Sequence, residues 1–312
     1  MGKFDKYIIY DYFAVEPELR IGGLGKSKSW CGFICTIGLV VFIAVITLMA
    51  LVKMGDRSDS SSNISELYVA DPPEVDISDM IMAFGITDRD NALKAYKIGY
   101  DYTVMGLLVT GTFQEVNGEA TIVNSPMPVQ IENCKPEYFG GLLEDFEVIA
   151  NIEDLLCLKK DQNPEAFKLK GKLGSNVLKQ LYIMFSPCSG LASCAPSADI
   201  ESKLATANLI FYFADSFIDI NNFEEPIQYS RAALNQVVNL NSSKNIIISL
   251  SPVILTTDTG FILESKSNKT TIIFEDSQVL IDFVPGNSIA QLSIRLSDKE
   301  YIYTRTYTKL QD

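Results

Sequence analysis

The chain has no histidine at all and a single tryptophan. Without an imidazole there is no Ser-His-Asp or Cys-His nucleophile pair, no histidine general base and no histidine-ligated metal. Carboxylate-pair chemistry survives that exclusion. Basic residues are also scarce: 26 Lys and Arg stand against 39 Asp and Glu, a formal charge of −13. The tail before the one long apolar run holds few acids, so the excess lies after it. A domain of that sign attracts neither nucleic acid nor an anionic lipid surface, and no nucleic-acid partner is expected.

What the chain does contain is that apolar run, residues 29–52, free of charge and bracketed by Lys28 and Lys53. At about 1.5 Å of rise per residue, a helix over this stretch crosses a roughly 30 Å hydrocarbon core. Its centre, Ile37 to Ile46, is apolar all round, whereas an amphipathic helix would carry a polar stripe. A buried core helix and a cleaved signal peptide are the competing readings. The run is longer than a signal core, and Met54-Gly55-Asp56 makes a poor cleavage site. The expected layout is a tail (1–28), a transmembrane signal-anchor helix (29–52), a stalk (53–73) and a β-rich domain (74–312). Membrane lipid is the first partner this implies.

Orientation follows from charge. Lys3, Lys6, Arg20, Lys26 and Lys28 precede the span, while Lys53 and Arg57 are the nearest bases after it. The positive-inside rule puts the N-terminus in the cytosol, which leaves the large domain extracellular or in the lumen of a secretory organelle. Two further features agree. The acceptor triplets at Asn63, Asn241 and Asn268 all follow the span, as candidate glycosylation sites. So do four cysteines, Cys134, Cys157, Cys188 and Cys194, an even set that reads as two disulfides in an oxidising compartment. Cys188 and Cys194 flank a small-residue loop, which favours pairing them and leaves Cys134 with Cys157. Three pairings remain open on sequence, and four free buried thiols are the alternative. Cys31 and Cys35 sit inside the span at helical spacing; palmitoylation fits them, though ordinary small helix residues explain them more simply. Gly32, Thr36 and Gly38 give the same helix small residues where another helix could approach closely.

Beyond Pro72-Pro73 the pattern is one of strands. Tyr102 to Phe113 is followed by Asn117-Gly118, a strong hairpin signal, and then Ala120 to Val123. Further strands are expected at 128–133, 166–171, 177–185, 207–220, 227–240, 245–255, 260–264, 270–275, 278–284 and 290–307. Only 197–206 reads as helix. The fold class expected is mainly β: an N-terminal transmembrane helix followed by a large β-sandwich-like ectodomain, or two sandwiches.

Three local matches to catalytic or binding motifs fail on inspection. Gly25-Lys26-Ser27 lacks the earlier glycine of a phosphate loop, because Arg20 stands there. Asp88-Arg89-Asp90-Asn91 starts like a calcium loop, but Leu93 and Gly99 occupy the positions that need glycine and a bidentate glutamate. Thr257-Asp258-Thr259-Gly260 carries the Asp-Thr-Gly of aspartic proteases, yet it is followed by Phe261 and has no second copy to share a proton. A polar turn explains it better. No cofactor is expected and no catalytic residue is assigned.

Several segments resemble a group of uncharacterised ciliate transmembrane proteins with a cysteine-containing β-rich ectodomain. They are Asp11-Tyr12-Phe13 and Gly25-Lys26-Ser27 before the span, Leu156-Cys157-Leu158, Phe167 to Gly171, Pro187-Cys188 with Cys194, Asp219 to Asn222 with Pro226-Ile227, and Thr257 to Gly260. The resemblance implies a membrane protein of unassigned function, often with a second span after a pattern like 303–312. The function expected, from the missing histidine, the unpartnered Asp-Thr-Gly match and the acidic strand-rich domain, is a non-enzymatic, membrane-anchored binding or structural protein, with a protein partner or a homo-oligomer. A cargo receptor of the early secretory pathway and an accessory subunit of a channel or transporter are the alternatives. Only Thr36 and Thr47 bring side-chain hydroxyls into the central part of the span, which weighs against the latter.

Overall fold

The structure is a computed structural model that describes residues 30–56, 60–91, 94–116, 119–147, 151–220, 222, 224–258, 265–282 and 288–307. The tail, the Asn117-Gly118 pair, the strand expected at 260–264 and Thr259-Gly260 lie outside the described residues. The chain forms two compact units. One comprises Met1–Ser61, Asp258–Lys266 and Thr306–Asp312; the other, Ser62–Thr257 and Ser267–Arg305.

In the first unit, α1 (Trp30–Asp56) is the apolar run, and the span within it, Trp30–Lys53, has a mean hydropathy of 2.8. Nearly all of its large apolar side chains, from Ile34 to Val52, are exposed. A soluble core helix would bury that surface, so a helix bare along its length needs a non-aqueous surrounding. The helix continues past Lys53, and β1 (Ser60–Tyr68) begins soon after it. Within the segment expected as a polar stalk (53–73), 53–56 belong to the helix and 60–68 to the strand.

The second unit is mainly β, as the strand pattern predicts. Its larger sheet has eight strands, ordered β1, β15 (Lys299–Tyr307), β12 (Ser243–Asp258), β14 (Ala290–Leu296), β9 (Val177–Pro187), β4 (Tyr102–Val116) and β5 (Glu119–Val129), with β13 (Lys266–Asp282) also pairing with β12. The smaller sheet has five, ordered β11 (Ile227–Val238), β10 (Ala207–Ile218), β3 (Met82–Asp88), β7 (Leu156–Leu158) and β6 (Ile131–Asn133). A two-stranded ribbon joins β2 (Val75–Asp76) to β8 (Lys168–Leu169). Strands β4 and β5 pair antiparallel up to Val116 opposite Glu119. The segment 290–307 is two strands rather than one. β14 runs parallel to the first half of β12, and β15 parallel to its second half. Strands expected separately at 270–275 and 278–284 are the single long β13.

The two sheets share a core. Phe84 of β3 and Phe211 and Phe213 of β10 meet Leu181, Ile183 and Phe185 of β9 and Ile246 and Ile248 of β12. Phe84 and Phe185 touch edge to face with ring centroids 6.0 Å apart, a favoured aromatic geometry. Strands β3, β7 and β10 of the smaller sheet are buried on both faces. Ala83, Ile210, Tyr212 and Ala214 turn the other way, into a second cluster with Phe139, Phe146, Ile152 and Leu155. The latter come from the segment between β6 and β7, which holds 3-10 turns and α2 (Leu143–Glu147). The helix α3 (Ser197–Leu204) follows Pro196 and buries Ile200 and Leu204, one turn apart, against the first cluster. Gly171, just after β8, has φ of +67°, and a Cβ there would sit 2.2 Å from the Val177 carbonyl oxygen, so only glycine fits.

Candidate functional site

On the larger sheet, consecutive strand residues point to opposite faces. In β14, Leu292, Ile294 and Leu296 are buried in the core. Gln291, Ser293 and Arg295 alternate with them and take the other face. A hydrogen-bonded polar row forms there: the Gln291 amide donates to Ser293 Oγ (3.1 Å), which donates to Asn245 Oδ1 (2.8 Å). Arg295 pairs across to Ser249 of β12. At this end the sheet carries an open cleft of about 320 Å³, lined by Lys172, Leu173, Ser249, Glu275, Asp276, Gln278, Arg295 and the turn Leu296–Lys299.

Glu275 is the hub of the cleft. Its carboxylate accepts from Lys299 Nζ (2.9 Å), Tyr301 Oη (2.9 Å) and Ser251 Oγ (3.1 Å). Lys299 also reaches Glu66 of β1 at 3.1 Å. Burial works against the carboxylate, but the three hydrogen bonds outweigh it and hold Glu275 below the ordinary glutamate range. The Tyr301 phenol moves the other way, pushed up to about 12 by burial and by the neighbouring charge of Glu275. Across the cleft, Lys172 pairs with Asp298 at 3.4 Å.

A second carboxylate lies close by in different surroundings. Asp215 of β10 accepts the backbone N–H of Phe274 (2.9 Å), and its neighbour Ser216 donates to the Ile272 carbonyl (2.7 Å). These bonds stitch β10 of the smaller sheet to β13 of the larger. Burial pushes the Asp215 carboxyl up, and the Phe274 and Ser216 amides only partly offset it.

The residues singled out by sequence are dispersed over the fold. Cys134 and Cys157 are bonded, S–S 2.04 Å, within the second core cluster, and Cys188 and Cys194 are bonded at 2.11 Å beside α3. Asp101 holds the second loop in place. It is 2% exposed, its carboxylate meets Lys203 Nζ at 2.6 Å and the Lys97 N–H at 2.9 Å, and its carbonyl accepts the Cys188 N–H. Asn241 is exposed on the turn between β11 and β12. Asn63 and Asn268 are exposed too, but each lies within a strand, β1 and β13, and not in the stalk or turn expected. In α1 the Thr36 hydroxyl donates back to the Gly32 carbonyl (2.9 Å), and Gly38 faces open space.

Asp258 lies at the end of β12, 3% exposed, with its carboxylate accepting the Ser265 N–H at 2.9 Å. Thr259 and Gly260 of the Asp-Thr-Gly match lie outside the described residues. Arg305 has no sequence signal, yet it is 1% exposed and donates from Nη1 to the carbonyls of Asn222 (2.6 Å) and Ile220 (3.3 Å). Among the described residues no group of three or more Cys, Asp or Glu is placed to hold a metal ion.

The fold and this surface define a class: a disulfide-tied β domain of two packed sheets, carried behind a helix long and apolar enough to cross a membrane. Residues 83–297 match the family model described as the uncharacterised 80 kDa protein N-terminal domain, and the chain belongs to that family. A comparison with curated proteins finds no match. Among solved structures, the chain is similar to one titled "Cryo-EM structure of a proton-activated chloride channel", at 9% identity and a TM-score of 0.31, over 87% of this chain and 81% of that one.

Proposed function

We propose that this chain is a membrane-anchored binding or structural protein that works without catalysis. Its β domain would sit outside the cytosol and contact a protein partner or a second copy of the chain. One observation carries the reading: α1 is exposed along its apolar length, and the first strand of a large sheet starts at Ser60, soon after the helix ends at Asp56. An anchor joined that closely to a folded domain holds it at the membrane surface.

Three further features support the reading. The basic tail favours a cytosolic N-terminus. The two disulfides suit an oxidising compartment. Asn241, on an exposed turn, suits a glycan, with Asn63 and Asn268 as further acceptors. The carboxylate of Asp258, in the Asp-Thr-Gly match, accepts the Ser265 N–H. The resemblance to ciliate membrane proteins belongs to the same reading, as does packing of α1 through Gly32, Thr36 and Gly38.

Protease protection on sealed vesicles, with purification in mild detergent, tests it. The β domain should resist protease added to the cytosolic face, glycosidase should lower its mass, and a complex should be recovered. Digestion of the β domain from that face would reverse the topology. A monodisperse monomer without a partner, with hydrolytic activity lost in Asp258→Asn, would replace binding by catalysis.

A further inference from the structure

The cleft on the larger sheet contains six charged side chains, and most of them satisfy one another. Lys299 is held by Glu275 and Glu66, and Lys172 by Asp298. Asp276 is exposed and solvated. Arg295 differs from all of these. It is half-buried, and its side chain makes no hydrogen bond or ion pair among the described residues. A guanidinium offers five N–H donors in a rigid fork that matches two oxygens of an oxyanion. Leaving that fork half-buried and unpaired costs solvation that no protein acceptor returns.

The surroundings of Arg295 are rich in hydrogen-bond donors. Ser249 stands opposite it in the strand pair, Ser297 and Gln278 line the same space, and the ammonium groups of Lys172 and Lys299 are on the rim. The volume, about 320 Å³, takes one small polar group with room for what carries it. The three acids lower the general attraction for anions, so selectivity must come from the fork geometry rather than from net charge.

We propose that this cleft is a binding site for a single oxyanion group, a carboxylate or a phosphate, with Arg295 as its bidentate donor and Lys172 as a supporting charge. The site is independent of the membrane topology proposed above. It deepens the binding reading only in naming the chemistry the β domain recognises.

The test uses the full chain in detergent, with inorganic phosphate and N-acetylglutamate as separate probes at constant ionic strength. Binding is read by thermal shift and by equilibrium dialysis. One or both probes should bind saturably in the millimolar range. Arg295→Gln should weaken that binding by about 10-fold or more, the usual worth of a charged hydrogen-bonded pair. Arg295→Lys should retain part of it. Binding of phosphate alone, or of N-acetylglutamate alone, identifies the source of the group. Lys172→Gln lies on the rim, away from both core clusters, and should weaken binding by a smaller factor even if the Arg295 variants fold poorly. Absence of saturable binding overturns the proposal. So does binding left unchanged by Arg295→Gln, or by Lys172→Gln where the Arg295 variants do not fold. Since none of these readouts depends on topology or partners, their failure is distinct from failure of the anchoring reading.

Discussion

Removing the two disulfides one at a time should have unequal effects, and the inequality can be worked from the chain. Cys134 and Cys157 are 23 residues apart, Cys188 and Cys194 only 6. A cross-link limits the unfolded chain in proportion to the logarithm of the loop it closes. At 25 °C the chain-entropy relation gives about 3.4 kcal/mol for the longer loop and about 2.2 kcal/mol for the shorter. Location widens the gap. The longer loop contains α2 and the turns that supply Phe139, Phe146 and Ile152, the layer covering the outer face of β10. Without Cys134–Cys157 that layer keeps its apolar contacts but loses its tether. The Asp101–Lys203 pair still holds the shorter loop after Cys188–Cys194 is gone. Urea unfolding of the double variants Cys134→Ala/Cys157→Ala and Cys188→Ala/Cys194→Ala measures both costs. Hydrogen exchange over 136–147 should accelerate in the first variant and stay unchanged in the second. A larger loss from the 188–194 pair, or equal protection of 136–147 in both, would refute the assignment of the long loop as the clamp on that layer.

Three other outcomes follow from charge and backbone. Glu275→Gln should cost about 1–2 kcal/mol at neutral pH by weakening hydrogen bonds to a charged acceptor. Because the folded Glu275 carboxyl is held below its ordinary value near 4.5, its stabilisation is present above that pH and lost as pH falls below it; the variant should show a shallower acid transition in pH-dependent unfolding. Asp215→Asn should have the opposite sign: burial raises that carboxyl, so folding favours its neutral form, and an amide that still accepts the Phe274 N–H should leave stability at pH 7 within about 1 kcal/mol of the parent or above it. Asp101→Ala should cost about 2–3 kcal/mol, since it removes a charged hydrogen bond from Lys203, whose side chain stays 36% exposed to water, and leaves the Lys97 N–H without its acceptor, with a midpoint shift in denaturant to match.

The parts of the fold legible in sequence are those with one strong local cause. The apolar run has the length and uniform composition of a spanning helix. Asn117-Gly118 stands between two β-branched runs, and Pro196 opens α3 ahead of Ile200 and Leu204. Strand β3, central to the smaller sheet, escaped because Met82 to Thr87 are all buried, so no polar residue alternates with the apolar ones. β1 escaped for the opposite reason: its serines, Asn63 and Glu66 read as a polar stalk, and only pairing with β15 makes a strand of them. The break of 290–307 at Ser297 has a tertiary cause, since β14 and β15 pair with different halves of β12. The candidate site was illegible for the same kind of reason. Glu275, Lys299, Tyr301 and Ser251 converge from three strands, and none belongs to a motif. Gly171 could be noticed in sequence, but its need for a positive φ against Val177 belongs to the folded chain alone.

The pairing of β1 with β15 has a consequence for how the domain is made. The Ser61 and Thr306 hydroxyls, 245 residues apart, share a hydrogen bond of 2.7 Å, and the Val69 N–H meets the Asp298 carbonyl at the other end of the pair, which makes the two strands antiparallel. Ser61 of β1 leaves the ribosome 245 residues ahead of Thr306 of β15. At ordinary rates of synthesis, about 5–20 residues per second, the first strand waits on the order of ten seconds or more for its neighbour. During that wait an open strand edge stands beside an emerging helix with a strong preference for lipid. Its serines, Asn63 and Glu66 are poor material for wrong pairing, which suits a strand that must stay unpaired until the end. Contacts of such long range also make slow folders, so in refolding from urea the β1 amides should gain protection in the last resolved phase.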